Sequence, residues 1–142
     1  NAWLKHNQKI NGYRIKGWLS EEECKKDYKD KIKSIVSFKN NLPQFDLIFM
    51  GIGIDGHIAS LFPCYDFENI SEDIFEKVYA KSIRKNRFTL TLPVLNNAKR
   101  RVIGVLGKQK KDLLWKIIQS NNNKYPVSRL LNSNAKDTWV MG

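Results

Sequence analysis

Two side chains that can hold or move a proton, Asp55 and His57, sit inside a glycine-rich stretch, Gly51-Ile52-Gly53-Ile54-Asp55-Gly56-His57-Ile58-Ala59-Ser60-Leu61-Phe62-Pro63. An imidazole titrates near neutrality, at about 6.5 when unperturbed, so His57 can take a proton from water and return it. Asp55, two residues earlier, can orient that ring or bind a substrate hydroxyl. Gly53 and Gly56 allow a sharp turn and a close approach of backbone to ligand, and the N–H groups of such a turn form an anion-binding concavity. The glycines also fit G-x-G-x-x-G, but no acidic residue closes a βαβ unit about 20 residues later in a convincing strand, so this is no dinucleotide fingerprint. A turn histidine that caps the next helix is the competing reading, and Asp-x-His alone does not separate the two.

The elements around this stretch place it at the end of a strand. Phe45 to Ile52 is a continuous apolar run and reads as a strand buried on both faces. Before it, Ser20 with Glu23 makes a capping box, and Cys24, Tyr28, Ile32, Ile35 and Val36 follow near the helical period, which predicts a helix from Ser20 to about Phe38. Asn40, Asn41 and Pro43 end it. Residues 1–19 are apolar without a clean period and read as a helix end and a short strand. After the loop, 77–83 and 88–92 read as strands, with Thr89 and Thr91 alternating with Phe88, Leu90 and Leu92 as on a half-buried strand. Pro93 suits the first turn of a short helix. Residues 101–107 read as a buried strand, and 110–120 as an amphipathic helix with Leu113, Leu114, Ile117 and Ile118 on one stripe. Residues 126–131 suit a turn or short helix, and 138–141 a last strand. Alternating helices and strands without internal repeats predict one layered α/β domain over 1–142 with mostly parallel strands. In such sheets ligands bind beyond the carboxyl ends of strands, which is where residues 51–64 lie.

Composition narrows the function classes. The chain has 142 residues and is 42% hydrophobic, enough for one core. It holds 25 Lys and Arg against 14 Asp and Glu, a formal net charge of +11. The basic residues are spread out, and the clusters at Lys25-Lys26, Lys99-Arg100-Arg101 and Lys108 to Lys111 lie beside apolar residues. They read mostly as solvated surface, with some attraction for a small anionic substrate. No nucleic-acid motif accompanies them, and no apolar run reaches the length of a membrane span. Two cysteines, Cys24 and Cys64, are too few for a disulfide scaffold or a metal knuckle, so a reduced, cytoplasmic setting is expected. Asn69-Ile70-Ser71 matches a glycosylation sequon, a triplet common by chance. Residue 1 is Asn, so the chain is treated as a possible fragment.

GIGIDGHIASLFP resembles the signature of the 6-phosphogluconolactonase family, in which this segment carries the catalytic histidine. Arg87-Phe88-Thr89-Leu90-Thr91-Leu92-Pro93-Val94-Leu95-Asn96 is similar to that family's R-I-T-L-T-L-P-x-L-N segment. Arg101-Val102-Ile103, Gly107-Lys108-Gln109-Lys110 and Thr138-Trp139 resemble the strand, the G-x-x-K and the closing strand that follow. The likeness runs from about residue 22 to the end.

The resemblance implies a Rossmann-like α/β sheet flanked by helices and hydrolysis of 6-phospho-D-glucono-1,5-lactone in the oxidative pentose phosphate pathway, with no metal or organic cofactor. It implies that His57 is the general base on water, that Asp55 holds the geometry, and that Gly53 and Gly56 let backbone approach the substrate. Lys110, at a helix start, and Arg87, before TLTLP, would bind the phosphate. Asn96 is expected to be a helix-turn residue, and Ser60, lacking a nucleophile elbow, to support the loop. The family's amino-terminal part, with its glycine- and serine-rich phosphate loop and Asp-Glu-Arg segment, has no counterpart in residues 1–19. Some family members are fused to glucose-6-phosphate dehydrogenase. The sister glucosamine-6-phosphate deaminases share Asp55 to Ala59, but Ser60-Leu61-Phe62-Pro63 lacks their acidic residue before the proline. A deaminase-like enzyme and a truncated, non-catalytic sugar-phosphate binding module are the alternatives.

Overall fold

A computed structural model describes residues 10–67, 73–120, 124–131 and 136–142. The sequon and residues 1–9 lie outside them. Helix α1, Glu21–Ile35, opens on the expected capping box: the Glu23 N–H donates to Ser20 Oγ at 3.4 Å, and the Ser20 N–H donates to Glu23 Oε2 at 3.1 Å. Three glutamates in the first turn and Lys33 in the last complement the helix dipole. The helix stops three residues earlier than the pattern suggested, because Val36 is already extended. Asn40 and Asn41 do more than end it. Both have positive φ (55° and 61°) and form the tip of a hairpin between β1, Phe38–Lys39, and β2, Leu42–Pro43. Asparagine tolerates the left-handed conformation that such a two-residue turn requires. Residues 10–19 hold a turn, closed by the Leu19 N–H on the Lys16 carbonyl at 3.0 Å, and not the expected strand.

Strands β3, Leu47–Gly51, β6, Arg100–Val105, and β7, Lys136–Met141, form a parallel sheet in the order β3-β6-β7. Between them in sequence lie an antiparallel hairpin, β4, Phe75–Ala80, with β5, Lys85–Leu90, and the helices α2, Leu92–Asn96, α3, Lys108–Ser120, and α4, Pro126–Leu131. A 3-10 turn, Lys81–Ile83, tips the hairpin, so the strand expected over 77–83 ends at Ala80. The α/β architecture with parallel strands and flanking helices is thus the one the pattern predicts.

The cores explain the register. Ile103 and Val105 of β6 point to one face of the sheet, where Leu92 and Leu95 of α2, Leu114 and Ile117 of α3, and Val127 and Leu130 of α4 join them. A second cluster holds Cys24 and Ile32 of α1 with Phe75 and Val94, and Phe88 stacks on Phe75 at 5.4 Å between centroids. The other face of the parallel sheet is bare among the described residues. Phe49 is 73% exposed, and Leu47 and Val140 are exposed too. Among the described residues strand β3 is therefore buried on one face only, against the expectation of two, because α2, α3 and α4 all pack on the same side. The outer part of the α3 stripe is open as well: Ile118 is exposed where Leu114 and Ile117 are buried.

One basic residue lies in the core. Arg101 is fully buried, contrary to the reading of its cluster as solvated surface. Its Nε and Nη2 donate to the two carboxylate oxygens of Asp137 on β7 at 2.6 and 2.9 Å. Nη1 donates to Asn96 Oδ1 at 2.7 Å, and Nη2 also to the Leu130 carbonyl at 3.0 Å. One planar guanidinium so ties β6 to β7, α2 and α4. Asn96 is spent inside this network, and its Nδ2 donates to the Arg129 carbonyl at 3.4 Å. Removing one partner strands a buried charge, so Asp137→Leu is expected to cost about 3–5 kcal/mol in urea unfolding. The double change Arg101→Met with Asp137→Leu is expected to recover most of that loss.

Candidate active site

The loop after β3 is a pair of linked turns. In the first, the Gly53 N–H donates to the His57 carbonyl at 2.9 Å and the Gly56 N–H to the Gly53 carbonyl at 3.0 Å. In the second, Ile58 and Leu61 exchange N–H···O bonds at 3.2 and 2.8 Å around Ala59, which has φ 49°. Ile52, Ile58 and Leu61 are all buried in the main core and bridge to one another, so apolar side chains nail both turns to the sheet. The polar residues between them, Asp55 and His57, are left at the surface of that anchor.

These two side chains meet. His57 Nδ1 lies 2.6 Å from Asp55 Oδ1, and the His57 backbone N–H donates to the same oxygen at 3.1 Å. An ionised carboxylate only accepts, so Nδ1 donates in this contact, and in the neutral ring the lone pair is then on Nε2. Phe62 packs against the imidazole at 4.6 Å between centroids. The ring is about a third exposed and borders an open cavity of about 800 Å³, within the range of small-molecule sites. His57, Ala59, Ser60 and Phe62 form one wall. Lys77, Ser82, Asn86, Arg87 and Phe88 of the hairpin form another, and Ile15, Gly17, Leu19 and Glu21 close a third side.

The two glycines make room for protein groups. A Cβ on Gly53 would lie 2.1 Å from His57 Nδ1 and 2.6 Å from Asp55 Oδ1. A Cβ on Gly56, where φ is +80°, would lie 2.6 Å from Tyr125 Cδ1. The Gly56 carbonyl also accepts the Val127 N–H of α4 at 3.2 Å. Gly53 is therefore the seat of the Asp55–His57 pair, and Gly56 the point where α4 clasps the loop. A role in substrate approach for either would use backbone that already serves these contacts.

The expected cations divide. Arg87 is exposed and lines the same cavity as His57, with no ion pair among the described residues. Lys110 stands in the first turn of α3, as G-x-x-K implies, and is not among the residues lining this cavity. Lys77, which the sequence reading did not single out, does line it, but its Nζ is paired with Glu21 at 2.8 Å. Hydrogen bonds from Lys77 and then Lys25 hold the Glu21 carboxyl below its usual range. Also missed were Phe62 as a ring partner, Tyr125 as the reason for Gly56, and the inward face of the TLTL segment. Thr89 and Thr91 are buried there, with Oγ1 atoms hydrogen-bonded. Among the described residues, no group of three or more His, Cys, Asp or Glu side chains could hold a metal. Nor is any helix long and apolar enough to cross a membrane.

If Gly53 seats the imidazole, Gly53→Ala breaks the Asp55–His57 bond while leaving the sheet in place. The expected sign is loss of the downfield Nδ1 proton resonance of His57, with the methyl signals of Ile103 and Val105 unchanged.

Known proteins resemble this chain in sequence and in fold. The family described as glucosamine-6-phosphate isomerases/6-phosphogluconolactonase matches residues 1–139. The bovine 6-phosphogluconolactonase is 32% identical over 125 residues, covering 87% of this chain and 48% of that protein. The rabbit GDH/6PGL endoplasmic bifunctional protein is 34% identical over 99 residues, covering 68% of this chain and 12% of that protein. The crystal structure of devB protein superposes with a TM-score of 0.81 at 26% identity, covering 94% of this chain and 58% of that one. The chain thus spans about half the length of the bovine relative. A family match over residues 1–139 means that the chain belongs to the glucosamine-6-phosphate isomerase/6-phosphogluconolactonase family.

Proposed function

We propose that this chain carries the base-bearing part of a 6-phosphogluconolactonase, hydrolysing 6-phospho-D-glucono-1,5-lactone to 6-phospho-D-gluconate in the oxidative pentose phosphate pathway. The observation that carries the proposal is the Asp55-held imidazole of His57 on the wall of a cavity of sugar-phosphate size. In this account His57 Nε2 takes a proton from a water as the water oxygen attacks C1 of the lactone. The carbonyl electron pair moves to oxygen. When it returns, the bond from C1 to the ring oxygen breaks and the imidazolium gives its proton to that oxygen. Atoms balance as lactone plus water to acid, and the acid then ionises. Asp55 keeps Nδ1 protonated, orients the ring and stabilises the imidazolium. The leaving group stays tethered, so one base and a few donors suffice.

Arg87 and Lys110 are assigned to the phosphate. Support for Arg87 is its place on the cavity wall. Support for Lys110 is its place in the first turn of α3, directly after Gly107, where charge and helix dipole both favour an anion. Gly53 and Gly56 serve the site by seating the dyad and the loop. No metal or organic cofactor enters these steps. The setting proposed is cytoplasmic, in keeping with two free thiols, Cys24 and Cys64. Fusion to a glucose-6-phosphate dehydrogenase is a further arrangement that the bifunctional rabbit relative supports.

The test is acid release from the lactone, measured against its spontaneous hydrolysis. His57→Ala is expected to lower kcat by about 10²–10⁴-fold, the range of one general base, with the melting temperature nearly unchanged. Asp55→Asn is expected to lower kcat less, and Arg87→Ala mainly to raise KM. A fully active His57→Ala variant would overturn the mechanism, and ammonia release from glucosamine 6-phosphate would favour the sister activity.

A further inference from the structure

Beyond the dyad, we propose that Thr89 is a positioning residue: its buried hydroxyl holds the second turn of the His57 loop in its strained shape. Thr89 lies in β5 opposite Glu76 of β4 and is 3% exposed. Its Oγ1 accepts the Ser60 backbone N–H at 3.2 Å and donates its own proton to the Leu90 carbonyl at 3.0 Å. A hydroxyl has one proton. Spending it on Leu90 turns the oxygen lone pairs toward Ser60.

Ser60 is where the turn needs a hold. The preceding residue, Ala59, has φ 49°, a left-handed conformation that costs free energy for any residue with a Cβ. The Ile58–Leu61 bonds close the turn at its two ends only. The Ser60 N–H, in the middle, is bonded across to a different element, the hairpin. Without it the peptide between Ala59 and Ser60 is free to relax out of the left-handed region. That would move Phe62 two residues on, and with it the ring that packs on His57. Ala59, Ser60 and Phe62 line the same cavity wall as His57, so the relaxation reaches the site itself.

The catalytic half of this inference rests on the lactonase reading, and the structural half does not. The experiment therefore reads both in the same protein. Amide exchange is followed at Ser60 by NMR, and lactone hydrolysis by acid release, in Thr89→Val, Thr89→Ser and Thr91→Val. Thr91→Val is the control, because it also removes a buried hydroxyl, one that donates to the Asp73 carbonyl at 2.7 Å instead of holding the loop. In Thr89→Val, exchange at Ser60 is expected to rise by about tenfold or more while Ile103 keeps its protection. There kcat is expected to fall by about tenfold or more with KM within about twofold, the mark of a misplaced catalytic group. Thr89→Ser should restore both, and Thr91→Val should change neither. Unchanged Ser60 exchange in Thr89→Val, or the same losses in Thr91→Val, overturns the proposal. So does a Ser60 amide that exchanges freely in the unmodified protein, a result that stands even where Thr89→Val does not fold. Absent lactone turnover in the unmodified protein would defeat the lactonase reading, and Ser60 exchange would still decide the role of Thr89.

Discussion

Arg101 is the constraint on which the other parts rest. A charge with no solvent access must be fully bonded, and its bonds here run to β7, α2 and α4 at once. Fixing the Leu130 carbonyl fixes α4. The start of α4 gives the Val127 N–H to Gly56, and Tyr125 fills the space that Gly56 leaves open. From Gly56 the chain passes directly to His57. A guanidinium in the sheet thereby limits where an imidazole at the sheet's edge can lie. The linkage is one of contiguous contacts, each with a distance, and it makes the position of the base a property of the fold as well as of the loop.

The loop achieves order by dividing its residues between two tasks. Ile52, Ile58 and Leu61 enter the core and carry the binding energy of the segment. Asp55 and His57 are carried along and meet over a glycine that has no side chain to part them. This division is why glycine and large aliphatic residues alternate so abruptly there. It also gives the hairpin a double role, since β5 supplies Arg87 to the cavity and the Thr89 hydroxyl to the loop behind it.

Much of this was legible in the sequence, and the failures have physical causes. Helix α1 was readable because its capping box is local, with donor and acceptor three residues apart. The loop's position after a strand was readable from an apolar run meeting glycines. What failed was long-range. The run from Phe45 to Ile52 looks two-sided by composition, but which helices cover which face is a tertiary fact, and all three packed on one side. Arg101 looked like surface because its charge is visible and its partner, Asp137, is 36 residues away. Thr89 and Thr91 looked like the polar side of a strand, while both are buried, Thr89 near the end of β5 against the Ser60 N–H and Thr91 at the start of α2. The pairing of Asp55 with His57 was anticipated as one option. That Gly53 must be glycine for the pair to form was not, because the clash exists only in three dimensions.

The proposed mechanism stands or falls with His57, oriented by Asp55, as general base on water. The most direct measurement is chemical rescue of a folded His57→Ala variant by added imidazole during 6-phosphogluconolactone hydrolysis. Turnover is expected to return in proportion to the concentration of neutral imidazole, and 4-nitroimidazole, a far weaker base of similar shape, is expected not to restore it. A variant that keeps its activity without imidazole, or one whose loss no imidazole repairs although the cavity binds it, would contradict the account.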